Sequence, residues 1–185
     1  MDRIRPVSMP GASAGQLKLG LLLLLGACAT APHAQRPAVP ENLRVPEGQR
    51  FLLRAVARGA QIYTCKTKAT DPAAFEWALK APEAELFDEG GARIGHHSGG
   101  PTWEALDGSR VVGEVEQRSP AQNAIPWLLL HAKSHEGTGT LAAVQYIQRL
   151  DTVGGVAPSA GCDAAHAGEE ARIDYSANYD FYGLK

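Results

Sequence analysis

The stretch ARIDYSANYDF, residues 171–181, alternates apolar and polar side chains over eleven positions. Side chains of a β-strand point alternately to opposite faces, so this period of two predicts a strand with one buried and one solvent-facing side. The apolar face would carry three aromatic rings, those of Tyr175, Tyr179 and Phe181. The stretch indicates a protein built of β-strands.

Shorter segments, 51–57, 75–80 and 111–116, repeat this alternation. The run IPWLLL, residues 125–130, is apolar on both faces and predicts either a strand buried on both sides or a short buried helix. We interpret TLAAVQYIQRL, residues 140–150, as a strand, because glycines precede it and a Thr-Val-Gly-Gly turn follows it. Roughly ten short strands with Gly/Pro turns predict an all-β fold, either a single-domain β-sandwich or a small barrel.

The length and charge of the chain restrict its function classes. A chain of 185 residues favours one domain. Its net charge of -2 argues against a nucleic-acid partner, which would require a basic face. No G-x-G-x-x-G motif follows a strand, and the βαβ rhythm of a dinucleotide-binding fold is missing. We therefore expect no nucleic-acid partner and assign no cofactor.

Residues 1–27 have the pattern of an export signal, with a basic beginning and a leucine-rich run over 19–25. The tetrapeptide LGAC, residues 25–28, resembles a bacterial lipobox, in which cleavage precedes the cysteine and its thiol receives a diacylglyceryl group. The alternative is a simple secretory signal followed by a chance cysteine. A lipid on Cys28 would make the membrane a partner through an acyl anchor.

A Pro-rich tether over 28–48, beginning at the lipidated Cys28, would connect the anchor to a β domain over 49–185. Pro-rich segments without an apolar face are semi-extended spacers. Ala29, and no aspartate, follows Cys28. Under the usual enterobacterial sorting rule, that absence predicts a lipoprotein of the outer membrane.

Two cysteines remain once Cys28 carries a lipid. Thiols that face an oxidising compartment normally pair, so we predict a disulfide between Cys65 and Cys162. The alternative is two separate buried thiols.

The stretch GHHSGGPTWEALDGS, residues 95–109, is the densest in residues that invite a functional interpretation. An imidazole and two carboxylates, His97, Glu104 and Asp107, would suffice for acid–base catalysis if they met in a cleft. The structural alternative gives the glycines to turns, buries Trp103 in the core and uses Asp107 in a tight turn.

A binding cleft is a further possibility, because aromatic faces bind sugars and apolar ligands. Its candidate residues are His97, Trp103, Glu104 and Trp127. The histidine pairs of the sequence, at 96–97 and 131–135, lack a third or fourth ligand with zinc-like spacing, so we assign no metal.

Several phrases of the sequence resemble, in the same order, the secreted family catalogued as domain of unknown function 3455. The likeness covers about residues 43–182. The phrases are Leu43-x-Val45-Pro46-x-Gly48, Gln61-Ile62-Tyr63-x-Cys65, His97-x-x-Gly100-Pro101-Thr102-Trp103-Glu104, Asp107-Gly108-Ser109, Ile125-Pro126-Trp127-Leu128-Leu129, Ile147-Gln148-Arg149 and Gly154-Gly155-x-x-Pro158. The resemblance implies an exported, β-rich protein with no established activity.

Together these observations predict an envelope lipoprotein that acts as a ligand-binding or structural module. The alternative is a hydrolase or isomerase that uses His97 with Glu104 or Asp107 as acid and base.

Overall fold

The computed structural model describes Met1 and residues 38–185. The expected signal, the lipidation site at Cys28 and the first part of the tether lie outside the described residues. Eight antiparallel strands form one sheet, each strand pairs with the next, and β8 returns to β1 to close a barrel. The strands are β1 Gln49–Lys68, β2 Asp71–Phe87, β3 Arg93–Ser98, β4 Thr102–Ala105, β5 Arg110–Ala121, β6 Ala124–Glu136, β7 Val144–Gly154 and β8 Glu170–Leu184.

The all-β prediction is confirmed, and a closed barrel is one of the two architectures expected. The strands are fewer and longer than the sequence suggests. Gly59 explains one difference, because it lies inside β1 instead of ending a strand. A Cβ atom at Gly59 would collide with the backbone of Glu83 and Ala84, so glycine lets β1 and β2 approach closely. A second difference is that 140–143 form a turn and β7 begins at Val144.

The barrel interior combines large side chains on β8 with small ones on β1. As predicted from the alternation, Tyr175, Tyr179 and Phe181 are all buried. Across the β1–β8 ladder, Ala55 lies opposite Tyr179 and Ala57 opposite Ala177. Because an eight-stranded barrel has room only for side chains or one small ligand, the small Ala55 opposite the Tyr179 ring allows the interior to fill.

The run 125–130 lies within β6, so the strand interpretation is confirmed over the buried helix. Its inward face carries Leu128 and Leu130, both in the core. Its outer face is covered by a short 3-10 helix, Glu41–Leu43, which contacts β5 and β6.

Residues 38–48, which the sequence assigns to the tether, lie against the outer wall of the barrel. Leu43 is completely buried there, and its carbonyl accepts a hydrogen bond of 2.6 Å from Nε2 of Gln148. Nδ2 of Asn42 donates to the Arg118 carbonyl at 2.9 Å. Ala38 and Pro40 border the β5–β6 turn. In the part of the chain that the structure describes, no helix is long and apolar enough to span a membrane.

The predicted disulfide is present. Cys65 near the end of β1 is bonded to Cys162, with Cα atoms 5.3 Å apart. Backbone hydrogen bonds from Cys65 N to Glu169 O and from Gly168 N to Cys65 O hold the same junction. The long connection between β7 and β8 is therefore fastened to the barrel wall.

Candidate functional site

The two ends of the barrel differ. We call one the pocket end; its loops are 88–92, 106–109 and 137–143. We call the other the disulfide end; its loops are 99–101, 122–123 and 155–169. Ala38 borders the β5–β6 turn and therefore lies at the disulfide end.

A cavity of about 410 Å³ opens at the pocket end. Most of its lining is apolar, and it reaches into the barrel interior between strands. Two alanines, on β1 and β4, leave space that larger inward side chains would fill. The principal apolar lining residues are Leu53, Ala55, Leu86, Ala105, Leu141 and Phe181.

Asp107 joins two loops at the rim of this cavity. Its Oδ1 accepts hydrogen bonds from Ser109 N at 2.9 Å and Ser109 Oγ at 2.5 Å. Its Oδ2 accepts from Thr140 N at 2.8 Å and Thr140 Oγ1 at 2.7 Å. These donors, Ser109 Oγ first, hold the pKa of Asp107 well below its usual range. Asp107 thus fixes the 137–143 loop, whose Leu141 forms part of the cavity wall.

Position 139 of that loop requires glycine. Gly139 has a φ of +147°, and a Cβ atom there would collide with the carboxylate of Asp107. The tight turn predicted at Asp107-Gly108 is also present, since Gly108 N donates to the Ala105 carbonyl at 3.0 Å. The structural interpretation of this part of the motif therefore agrees with the geometry.

The charged groups at the cavity already have partners within the chain. Arg54 makes a two-pronged ion pair with Asp180, with Nε to Oδ1 at 2.6 Å and Nη2 to Oδ2 at 2.7 Å. Arg93 pairs with Glu85 on the neighbouring strand. Asp88 Oδ1 accepts a hydrogen bond of 2.8 Å from the backbone N–H of Ala92. The cavity offers an apolar interior and a rim of satisfied charges.

His97 and Trp103 lie together inside the barrel, on paired positions of β3 and β4. His97 is only 2% exposed, and its Nδ1 lies 2.8 Å from the Thr102 carbonyl, which can only accept. Nδ1 therefore carries the proton. Burial lowers the pKa of His97 to about 3, so the ring is neutral at physiological pH.

The other candidate residues lie elsewhere. Glu104 pairs with His96 on the outer face of the sheet, where Arg110 Nη2 binds it at 3.0 Å. Trp127 borders Ala38 and Pro40 on the outer wall. Of the residues that the sequence proposes for one site, the structure thus brings together His97 and Trp103 and separates Glu104, Asp107 and Trp127 from them.

Sequence reasoning missed a polar cluster in the interior. Tyr175 and Tyr179 turn inward beside Arg149, whose position on β7 pairs with Tyr179. Neither hydroxyl makes a hydrogen bond of normal geometry within the described residues. Burial raises the pKa of both tyrosines, so both stay neutral. The sequence signal for this cluster was the position of both tyrosines on the apolar face of the predicted strand over 171–181.

Arg149 also stabilises the junction of β6 and β7 at a shift in their register. The ladder between β6 and β7 shifts register between Ala124 and Leu128, where Pro126 has no N–H to donate. Nε and Nη2 of Arg149 donate to the Pro126 carbonyl at 3.0 and 2.8 Å. The guanidinium thereby satisfies the Pro126 carbonyl at the register shift.

The fold and the cavity define the chain as a small closed antiparallel barrel with an apolar pocket at one end. The chain belongs to the family described as protein of unknown function DUF3455, whose model matches residues 46–183. No curated protein and no solved structure matches the chain. Among the residues that the structure describes, no three histidine, cysteine or carboxylate side chains are grouped so that they could hold a metal ion.

Proposed function

We propose that this protein is an exported, lipid-anchored barrel that binds a small apolar ligand in the cavity at its pocket end. The observation that carries this proposal is the apolar cavity of about 410 Å³ in a barrel whose remaining interior is filled by side chains. Ligand sites commonly have volumes of about 300–1,000 Å³ and occur at the mouths of β-barrels. The cavity has the position and size of such a site.

The lining supports an apolar ligand. Leu53, Leu86 and Phe181 present hydrocarbon surface to the cavity, and Leu141 closes one side. Covering apolar surface contributes about 25 cal/mol per Å², so a molecule that fills the cavity gains its affinity from burial. The pinned loop at Asp107 preorganises this wall, which lowers the entropy cost of binding.

The anchor and the location rest on the sequence. The export signal over 1–27 and the lipobox-like LGAC predict a diacylglyceryl group on Cys28, and Ala29 favours the outer membrane. The disulfide between Cys65 and Cys162 supports an oxidising compartment, in which such bonds persist. The membrane, bound through this lipid, is the partner that we propose.

No specific observation favours the alternative of a hydrolase or isomerase. His97 is buried and neutral, and its N–H already binds the Thr102 carbonyl. Glu104 lies on the other face of the sheet, bound to Arg110. The Asp107 carboxylate accepts four hydrogen bonds from Ser109 and Thr140. The three groups lack the convergence that acid–base catalysis requires.

Titration with the neutral fluorescent probe N-phenyl-1-naphthylamine tests the ligand site. We expect saturable binding with one probe per chain, and a strong loss of affinity in Ala105→Phe, which fills the cavity. Ala73→Phe, at an exposed position on β2, is the matched control and retains affinity. Equal affinity in the wild type and Ala105→Phe would contradict the proposed site.

The anchor is tested separately by expressing the full chain in a bacterial host with radiolabelled palmitate. We expect label and membrane association in the wild type and neither in Cys28→Ser. An unlabelled wild-type protein recovered in the soluble fraction would refute lipidation and leave the ligand site unaffected.

A further inference from the structure

We infer that the cavity at the pocket end selects an uncharged apolar ligand and rejects amphiphiles with a carboxylate or ammonium head. The inference rests on the proposed function and specifies its ligand class. The charges around the cavity decide which head group is accepted, because an apolar chain can carry many head groups and the polar groups at a site select among them.

The first charge is Arg54 on β1, a lining residue of the cavity. Its guanidinium uses two nitrogens on the Asp180 carboxylate, which is 2% exposed. A guanidinium binds a carboxylate through two parallel N–H donors, and two such donors of Arg54 already bind Asp180. A ligand carboxylate would have to displace Asp180 and leave that carboxylate buried without its partner, which is strongly unfavourable.

The second cation, Arg93, lies at the rim. Its Nε is bonded to Oε2 of Glu85, and both side chains are about half exposed. This pair is screened by water, so it is weaker than the pair at Arg54. The pair still neutralises Arg93, a rim cation that could attract an anionic head.

The carboxylates of the rim are also satisfied. Asp107 binds four donors from Ser109 and Thr140, and Asp88 binds the N–H of Ala92. An ammonium head would therefore compete with existing hydrogen bonds.

Burial of an unpaired charge in such a cavity is costly, whereas a hydroxyl head can remain at the mouth at a small cost. A ligand with a neutral head leaves every pair in place. The geometry thus favours hydrocarbon chains or rings with at most a small uncharged polar group.

Competition against bound N-phenyl-1-naphthylamine tests the inference, with decan-1-ol, decanoate and decylammonium at pH 7.5 as matched ten-carbon competitors. We expect decan-1-ol to displace the probe at a concentration at least about tenfold lower than either ion. Equal or tighter binding of decanoate or decylammonium would overturn the inference and leave the proposed function standing. A probe that does not bind at all would overturn both.

A matched pair of variants tests the cause. Glu85→Gln leaves Arg93 without its carboxylate, and we expect decanoate to gain about two- to fivefold relative to decan-1-ol. Glu83→Gln is the control, because Glu83 lies two residues away on β2 and pairs at 2.7 Å with Arg172, which, unlike Arg93, does not line the cavity. An equal gain in both variants, or no gain in Glu85→Gln, would show that the rim pair does not set the preference.

Discussion

The imidazole of His97 stacks on the indole of Trp103 inside the barrel, with ring centroids 4.6 Å apart and planes inclined by 14°. Tyr179 lies against both rings, with centroids 5.0 Å from His97 and 5.2 Å from Trp103. The motif at 95–109 therefore contributes a packed aromatic group to the core. Its histidine is a neutral core residue whose protonation would place a charge inside the barrel.

This burial predicts that the protein loses stability in mild acid. His97 has a pKa of about 3 in the folded protein and about 6.5 when unfolded, so the unfolded chain binds more protons between these values. The stabilisation is present above pH 6.5 and is lost as the pH falls towards 3. We expect the free energy of unfolding to fall by about 3 kcal/mol from pH 7 to pH 4. Urea denaturation at half-unit pH steps measures it.

The control for this prediction is the neighbouring histidine. His97→Gln should flatten the dependence between pH 6.5 and 4, whatever its own effect on stability at pH 7. His96→Gln, at a side chain that is 43% exposed, should retain the wild-type slope. Identical slopes in the wild type and His97→Gln would show that another group causes the acid sensitivity.

Removing either hydroxyl of the inner cluster should cost little. Tyr175→Phe and Tyr179→Phe keep the buried rings and delete polar atoms that make no hydrogen bond of normal geometry. We expect each variant to change the free energy of unfolding by less than about 1 kcal/mol, or to raise it slightly. A loss above about 2 kcal/mol would reveal a hydrogen-bonding partner, such as an internal water.

The disulfide should stabilise the barrel through its long loop. Cys65 and Cys162 are 97 residues apart in sequence, and constraining a loop of that length contributes about 2–4 kcal/mol. The double variant Cys65→Ser, Cys162→Ser should lose that much and exchange amide hydrogens faster over 155–169. Unchanged stability of the double variant would contradict this account.

Asp107 should control the wall of the cavity. Asp107→Asn replaces one carboxylate oxygen by an NH₂ group that cannot accept the donors of Ser109 or Thr140. We expect a lower melting temperature, faster amide exchange at 138–141 and weaker probe binding. Asp88→Asn is the control, because its remaining oxygen can still accept from Ala92 N. Unchanged exchange in Asp107→Asn would refute the pinning role.

The strands could be predicted well from local patterns, because the period of two in 171–181 follows from burial on one face. The disulfide could be predicted because only two cysteines remain after Cys28. Closure of the barrel could not, since the pairing of β8 with β1 depends on contacts between distant parts of the chain. The strand predicted over 51–57 extends to Lys68, because Gly59 permits close packing of two strands and does not end the strand.

The candidate site was harder to predict. His97 and Glu104 are both polar residues in one dense motif. His97 lies opposite Trp103, and Glu104 lies opposite His96, so His97 and Glu104 are on opposite faces of the sheet. The cavity is lined by residues from five separate segments, including Leu53 and Leu141, whose individual identities are ordinary for a core. Only the closed barrel brings them together, so no local signal could reveal the pocket.

The most direct test of the central claim is to map the binding site by NMR. Titration of decan-1-ol into the ¹⁵N-labelled domain, residues 38–185, should shift amide signals at 53–55, 86–94, 105–107 and 140–141, the segments around the cavity. Signals at the disulfide end, in 155–169, should stay unchanged. Shifts confined to the disulfide end, or no saturable shifts at all, would contradict the account of this protein as an apolar-ligand barrel.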